Sequence, residues 1–250
     1  VSDVTLPNVR LYRGDTLDRM AEVESGSVDA IVADLPYGTT ACAWDSVIPF
    51  EPLWDQYRRI LKPKGAVILT ACQPFTTALV NSNPKWFRYE LVWDKVAATG
   101  FLDAKRRPMR AHENILVFAR GYTTYNPQFE QGRPYRQVHK AWKIETIGDK
   151  KALQRTYVTE SDGRRYPRSI VRCANPNSRR KEHPTQKPVD LFRWLVRTYT
   201  NPGETVLDNT MGSGTTGVAS VLELREFIGI ERDPVYFEIA ERRIRGALEA

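Results

Sequence analysis

The sequence predicts an α/β protein organised as a doubly wound sheet. Three observations predict it. Short apolar, β-branched runs alternate with stretches at helical period, the alternation is regular on both sides of an irregular basic segment, and a glycine-rich turn joins one run to a helix. With 250 residues and 41% hydrophobic content, the chain carries enough apolar material for a sizeable core.

Val9 to Tyr12 reads as a short strand running into Gly14-Asp15, and Leu17, Met20 and Val23 then share one helical face. Val28 to Ala33 is an interior strand that Pro36 and Gly38 stop abruptly. The polar segment Gly38 to Pro49, with Trp44, reads as a loop. Pro52 to Leu61 is an amphipathic helix burying Trp54, Tyr57, Ile60 and Leu61, stopped by Pro63 and Gly65. Ala66 to Thr70 is a strand and Phe75 to Asn81 a short helix. Tyr89 to Trp93 and Asn114 to Phe118 are strands, joined by a long basic loop from Asp94 to Glu113 that carries Lys95, Lys105, Arg106, Arg107 and Arg110. Regular patterning fades at Gly121 and returns after Glu182.

Beyond that point Leu191, Trp194, Leu195 and Thr198 share a helical face behind Pro188. Thr205 to Asp208 is a buried strand, Gly212 to Gly217 opens the next helix, and Phe227 to Glu231 is a further strand. Asp233 and Pro234 start a last helix that turns Phe237, Ala240, Ile244 and Leu248 inward. The expected division is a core half over residues 1–120, an insertion over 121–182 and a second core half over 183–250.

The formal charge of +7 favours a polyanionic partner, and its distribution is more telling. From Arg120 to Glu182 there are 15 Lys and Arg against 6 Asp and Glu, so this stretch carries +9 and the remainder −2. Tyr122, Tyr125, Tyr135, Trp142, Tyr157 and Tyr166 are interleaved with those cations. Cations bind phosphates and guanine edges, and aromatic faces stack on unpaired bases. Arg133 and Arg136 here, with Lys95, Lys105, Arg106 and Arg107 of the basic loop, are the candidate DNA contacts. Cys42, Cys72 and Cys173 are scattered, as are His112, His139 and His183, so neither a disulfide framework nor a metal-ligand spacing is present. No run approaches the roughly 18 apolar residues of a membrane span, and the polar start does not read as a signal peptide. A cytoplasmic location without membrane contact is the expectation.

Two stretches carry chemistry. Asp34-Leu35-Pro36-Tyr37 places a carboxylate, a stiff carbonyl and an aromatic face at a strand end, where active sites of open α/β sheets lie. Those groups suit an exocyclic amine on a flat base. Gly212-Ser213-Gly214-Thr215-Thr216-Gly217 satisfies a dinucleotide fingerprint, with Glu231 following at 19 residues to accept ribose hydroxyls. The loop calls for a nucleoside and does not choose between NAD and S-adenosylmethionine. Asp208 just before it would meet the ammonium of an amino-acid-like cofactor, and no hydride-transfer pair is evident. The absence of Lys after the second glycine excludes a Walker phosphate loop.

Asp34-Leu35-Pro36-Tyr37, then His183-Pro184-Thr185-Gln186-Lys187-Pro188, then Leu207-Asp208-Asn209-Thr210-Met211-Gly212-Ser213-Gly214-Thr215-Thr216 resembles the amino-group DNA methyltransferases, in the motif order of their permuted beta group. The resemblance implies a Rossmann-like, circularly permuted methyltransferase fold with mixed strands and an inserted recognition region. It implies S-adenosylmethionine as cofactor and double-stranded DNA as partner. It implies that Asp34 and the Leu35 carbonyl accept the hydrogens of the target amino group, that Pro36 stiffens this backbone and that Tyr37 stacks on a flipped base. Asp208, Gly212 and Gly214 would line the methionine portion with Thr215 and Thr216 at the helix start. Glu231 would bind ribose and Asp15 adenine, and Thr185 and Lys187 would lie at the methionine end. Two positions depart from the pattern: Leu35 replaces the usual proline, and Asn209-Thr210 stands where Pro-Phe is usual.

The implied reaction is methylation of adenine N6, because an acidic first residue accompanies adenine in most of that group, with cytosine N4 as the alternative. An NAD-dependent oxidoreductase and a non-catalytic nucleic-acid-binding module are the rivals from other classes. Dimerisation is common in the resembled group, and a restriction endonuclease partner is left open.

Overall fold

The computed structural model describes residues 3–38, 46–140, 156–175 and 186–250. Trp44, Cys42, Trp142, His183 and Thr185 lie outside the described residues. The chain groups into two compact units, residues 1–126 with 169–250, and residues 127–168.

In the larger unit, β1 (Val4–Leu6) and β2 (Val9–Arg13) form a hairpin, followed by α1 (Thr16–Met20), β3 (Val28–Ala33), α2 (Phe50–Ile60), β4 (Leu61–Ala71), α3 (Phe75–Ser82), β5 (Phe87–Thr99) and β6 (Arg110–Ala119). The smaller unit holds two antiparallel pairs, β7 (Glu130–Gln131) with β10 (Arg164–Arg165) and β8 (Tyr135–His139) with β9 (Tyr157–Ser161). The larger unit resumes with β11 (Ile170–Arg172), α4 (Val189–Tyr199), β12 (Thr205–Asp208), α5 (Thr215–Leu222), β13 (Glu226–Glu231) and α6 (Pro234–Leu248).

Among the described residues one nine-stranded sheet runs in the order β1-β2-β13-β12-β3-β4-β6-β5-β11. From β2 to β4 all neighbours are parallel, whereas β6 is antiparallel to both β4 and β5. The sheet is therefore mixed. Alternate residues of each strand feed opposite faces. Ala30 and Val32 of β3 join Leu195, Ala219, Phe237 and Ile244 of α4, α5 and α6 in one core cluster. Ile31 and Ala33 join Met20, Leu53, Tyr57 and Phe75 of α1, α2 and α3 in the other. Helices cover both faces, as a doubly wound sheet requires.

The structure departs from the sequence reading in three places. Helix α2 starts at Phe50 and ends at Ile60, and Leu61 already opens β4, five residues before the expected Ala66. Leu61 pairs with Val28 and Ala66 with Ala30, so Pro63 and Gly65 sit at a register shift in the strand. Helix α1 ends at Met20, short of Val23, although both side chains are buried. Half of the expected loop from Asp94 to Glu113 is strand, because β5 and β6 pair down to Thr99 and Arg110. Its polar alternation reads as a loop, yet backbone pairing needs no apolar face. The connection at the tip exposes Phe101 and Leu102 beside Lys105, Arg106 and Arg107.

Candidate active site

Parallel strands place their C-terminal ends at one edge of the sheet, and that edge collects the side chains expected at the site. Asp15 follows β2, Asp34 follows β3, Thr70 stands near the end of β4, Asp208 ends β12 and Glu231 ends β13. All of these but Thr70 line a cavity of about 240 Å³, whose wall also includes Leu35 to Tyr37, Lys187, Asn209 to Ser213, Thr215, Thr216, Arg232 and Tyr236.

At one end the Asp34 carboxylate is held from three sides. Its Oδ1 accepts from the Tyr37 hydroxyl at 2.7 Å and from the Thr70 hydroxyl, and its Oδ2 accepts from Lys187 Nζ at 2.7 Å. Thr70 reaches it because Ala33 pairs with Leu69, so the next residue of β4 lies beside the residue that follows β3. Tyr37 stacks on Phe75, with ring centroids 5.1 Å apart and planes at 26°. Burial, followed by the charges of Asp34 and Glu113, raises the Tyr37 pKa well above its ordinary value, so the phenol stays protonated. Burial alone would lower the pKa of Lys187, but Asp34 and Glu113 outweigh it and the value is raised. The ammonium persists.

At the other end Asp208 is buried, accepting from the Thr216 hydroxyl and from the Thr210 amide at 3.0 Å. Desolvation raises its pKa to about 7 despite those two bonds, with Asp34 and Glu231 adding to the effect. A cation placed beside it would offset that penalty. Glu231 accepts from the Gly212 amide at 2.9 Å and the Asp233 amide at 2.8 Å, so it ties the glycine loop to the start of α6. Burial raises its pKa too. Asp15 caps α1 through a 2.9 Å bond from the Leu17 amide.

A family model described as DNA methylase matches residues 28–242. This chain belongs to that family. Membership makes it an S-adenosylmethionine-dependent DNA methyltransferase of the N6-adenine/N4-cytosine class. It is 27% identical over 250 residues to type II methyltransferase M1.MboII of Moraxella bovis, covering 91% of this chain and 93% of that one. It is 23% identical over 265 residues to M.HinfI of Haemophilus influenzae, covering 94% and 68%. Its fold is similar to that of the crystal structure of the M1.HpyAVI–SAM complex (TM-score 0.63, 20% identity, covering 94% of this chain and 98% of that one). It is also similar to the cytosine-N4-specific PvuII DNA methyltransferase (TM-score 0.69, 15% identity, covering 98% and 93%).

In this methylase Asp34, Pro36, Tyr37, Asp15, Lys187, Asp208, Gly212, Thr215, Thr216 and Glu231 line the one cavity, as does Leu35. Gly214 stands behind it. Its φ is +77° and a Cβ there would lie 2.9 Å from Ala240, so this glycine lets α5 and α6 approach. Lys95, an expected DNA contact, is buried and pairs with Glu113 at 3.3 Å, which takes its charge away from the surface. Lys105, Arg106, Arg107, Arg133 and Arg136 are exposed, with Arg107 paired to Asp103 and Arg136 to Glu160.

Two residues that contact Asp34 or Lys187 carry no motif in the sequence. Thr70 was legible only through strand register, and nothing in the sequence marks Glu113. The two departures from the family pattern also acquire partners. Asn209 accepts from the Tyr57 hydroxyl at 2.7 Å and donates to Thr16 at 2.9 Å, joining α1 and α2 to the end of β12. Thr210 donates to the Asp34 carbonyl at 3.2 Å. The Leu35 side chain is 3% exposed within the core cluster of Leu53 and Phe75, a burial worth about 1.5–3 kcal/mol. Anchoring by packing takes the place of a proline ring at this position.

Proposed function

We propose that the protein methylates the exocyclic N6 of adenine in a base turned out of duplex DNA. The observation that carries the reading is one cavity with the Asp34 carboxylate and the Tyr37 ring at one end and Asp208, the glycine loop and Glu231 at the other. The residues at the second end fit S-adenosylmethionine: a buried carboxylate with its pKa pushed up to about 7 suits an ammonium, and a second acid at the neighbouring strand end suits ribose hydroxyls. Bound there, the cofactor supplies an electrophilic methyl group on a sulfonium.

Asp34 and the Leu35 carbonyl accept the two amino hydrogens. That favours a more tetrahedral nitrogen and stabilises the positive charge developing on it, which is an electrostatic and positioning role. Tyr37, backed by Phe75, offers its ring to the base. Pro36 limits the backbone freedom of the motif. No nucleophilic side chain takes part, so Cys72 and Cys173 are dispensable for the chemistry.

Residues 121–182 are read as the target-recognition insertion, between a catalytic half over 1–120 and a cofactor half over 183–250, in permuted order. Within the smaller unit Arg164 lies 4.1 Å over the Phe129 ring and Arg165 4.8 Å over the Tyr135 ring. Such cation–aromatic pairs present both charge and flat faces, which suits a nucleic acid. Similarity to type II methyltransferases supports site-specific modification.

Expression in a host free of DNA methylation, followed by mapping of modified bases, tests the reading. N6-methyladenine at one short sequence, absent with Asp34→Ala, is the expected result. N4-methylcytosine would replace adenine by the alternative base, and unmodified DNA from folded, cofactor-bound protein would overturn the proposal.

A further inference from the structure

Two lysines and two carboxylates form an alternating chain beside the cavity. Lys95 on β5 lies 3.3 Å from Glu113 Oε1 on β6, Glu113 Oε2 lies 3.4 Å from Lys187 Nζ, and Lys187 Nζ lies 2.7 Å from Asp34 Oδ2. The charges balance two against two. Lys95 and Lys187 are buried, with side chains 3% and 9% exposed. Lys95 is also held by Thr99 at 3.2 Å, which fixes the far end of the chain.

The two sides of Lys187 differ. Its contact with Asp34 is a formed hydrogen bond, whereas Glu113 Oε2 is buried and makes no hydrogen bond, so the 3.4 Å approach is an ion pair by distance alone. Asp34 Oδ1 is taken by Tyr37 and Thr70. An incoming amino group must therefore share the oxygen that Lys187 holds. An ammonium there also opposes positive charge on the attacking nitrogen, since like charges repel strongly away from bulk water. A buried acceptor with an unmade bond is the natural destination for that ammonium.

We propose that Glu113 is a positioning residue that receives the Lys187 ammonium when the target base reaches Asp34. Lys187 exchanges its bond to Asp34 Oδ2 for one to Glu113 Oε2, and the Asp34 carboxylate passes to the amino group. No charge is left unpaired, because Glu113 keeps Lys95 on its other oxygen. Before the base arrives, Lys187 holds Asp34 ionised and in place. The inference rests on the methyl-transfer reading and adds to it a second acid that touches neither base nor cofactor.

The test is single-turnover methyl transfer with the cofactor-saturated protein and duplex DNA carrying the mapped site. Glu113→Gln is expected to slow transfer at least about 10-fold, with cofactor affinity and the KM for DNA within about 2-fold of wild type. Lys95→Met with Glu113→Gln restores charge balance but leaves only a neutral amide oxygen in place of the carboxylate that receives Lys187, so the double variant stays slow, whereas Glu113→Asp recovers part of the rate. Were Glu113→Gln to unfold, the charge-balanced double variant would carry the test. Wild-type rates in either variant, from a parent that does transfer methyl groups, would overturn this inference alone. A wild-type protein that transfers none would overturn the functional reading, and this inference with it.

Discussion

The Thr210 hydroxyl donates a hydrogen bond to the main-chain carbonyl of Asp34 across 3.2 Å, joining residues 176 apart in the chain. The turn after β12 thereby braces the end of β3. Thr210 also gives its amide to Asp208, so one residue is hydrogen-bonded to both ends of the cavity.

Thr210→Val keeps the shape and removes the hydroxyl. Loss of one net hydrogen bond of about 1 kcal/mol predicts a roughly 5-fold fall in the transfer rate. Cofactor affinity, read by calorimetry, should stay near wild type, since the amide bond to Asp208 is retained.

Asp34→Ala should abolish methyl transfer by at least about 10²-fold while cofactor binding largely persists. Label transfer from the cofactor and binding titration on one preparation give both values. Substantial turnover would remove Asp34 from the chemistry.

Asp208 links binding to pH. With its pKa pushed up to about 7 by burial, the protonated carboxyl favours the folded chain, a contribution fully present below the ordinary value near 4 and lost as pH rises through about 7. A cationic cofactor needs the opposite form, so its affinity should rise with pH up to about 7 and then level off. Asp208→Asn should flatten that profile and weaken binding about 10–100-fold, equivalent to a charged hydrogen bond. An unchanged slope in the variant would contradict the assignment.

Gly214→Ala tests packing rather than chemistry. The left-handed φ of +77° and a Cβ 2.9 Å from Ala240 predict a loss of roughly 1–3 kcal/mol, read as a lowered thermal midpoint. Because Gly214 does not line the cavity, the folded variant should bind cofactor nearly normally.

Replacing Lys105 and Arg106 by Ala should weaken DNA binding for all sequences alike. The slope of log affinity against log salt should fall by roughly 0.9 for each phosphate contact removed. A change of target sequence instead would move these residues from backbone contact to base reading.

The alternation of apolar runs made the wound sheet legible, since burial on both faces selects β-branched strands and amphipathic helices. Asp34 to Tyr37 and Gly212 to Gly217 were legible as motifs because each combines turn residues with polar groups over a few positions. Strand extents were not, as the polar stretches of β5 and β6 are held by backbone pairing that leaves no periodic signature.

The sequence by itself determined the fold class, the order of motifs and the local concentration of positive charge, because these depend on composition and short-range spacing. Only the tertiary structure decided that Lys187 meets Asp34 across 153 residues, that Thr70 joins them and that Glu113 waits behind. Such contacts depend on strand register and on which way side chains leave the sheet, and a shift of one residue would send them to the opposite face.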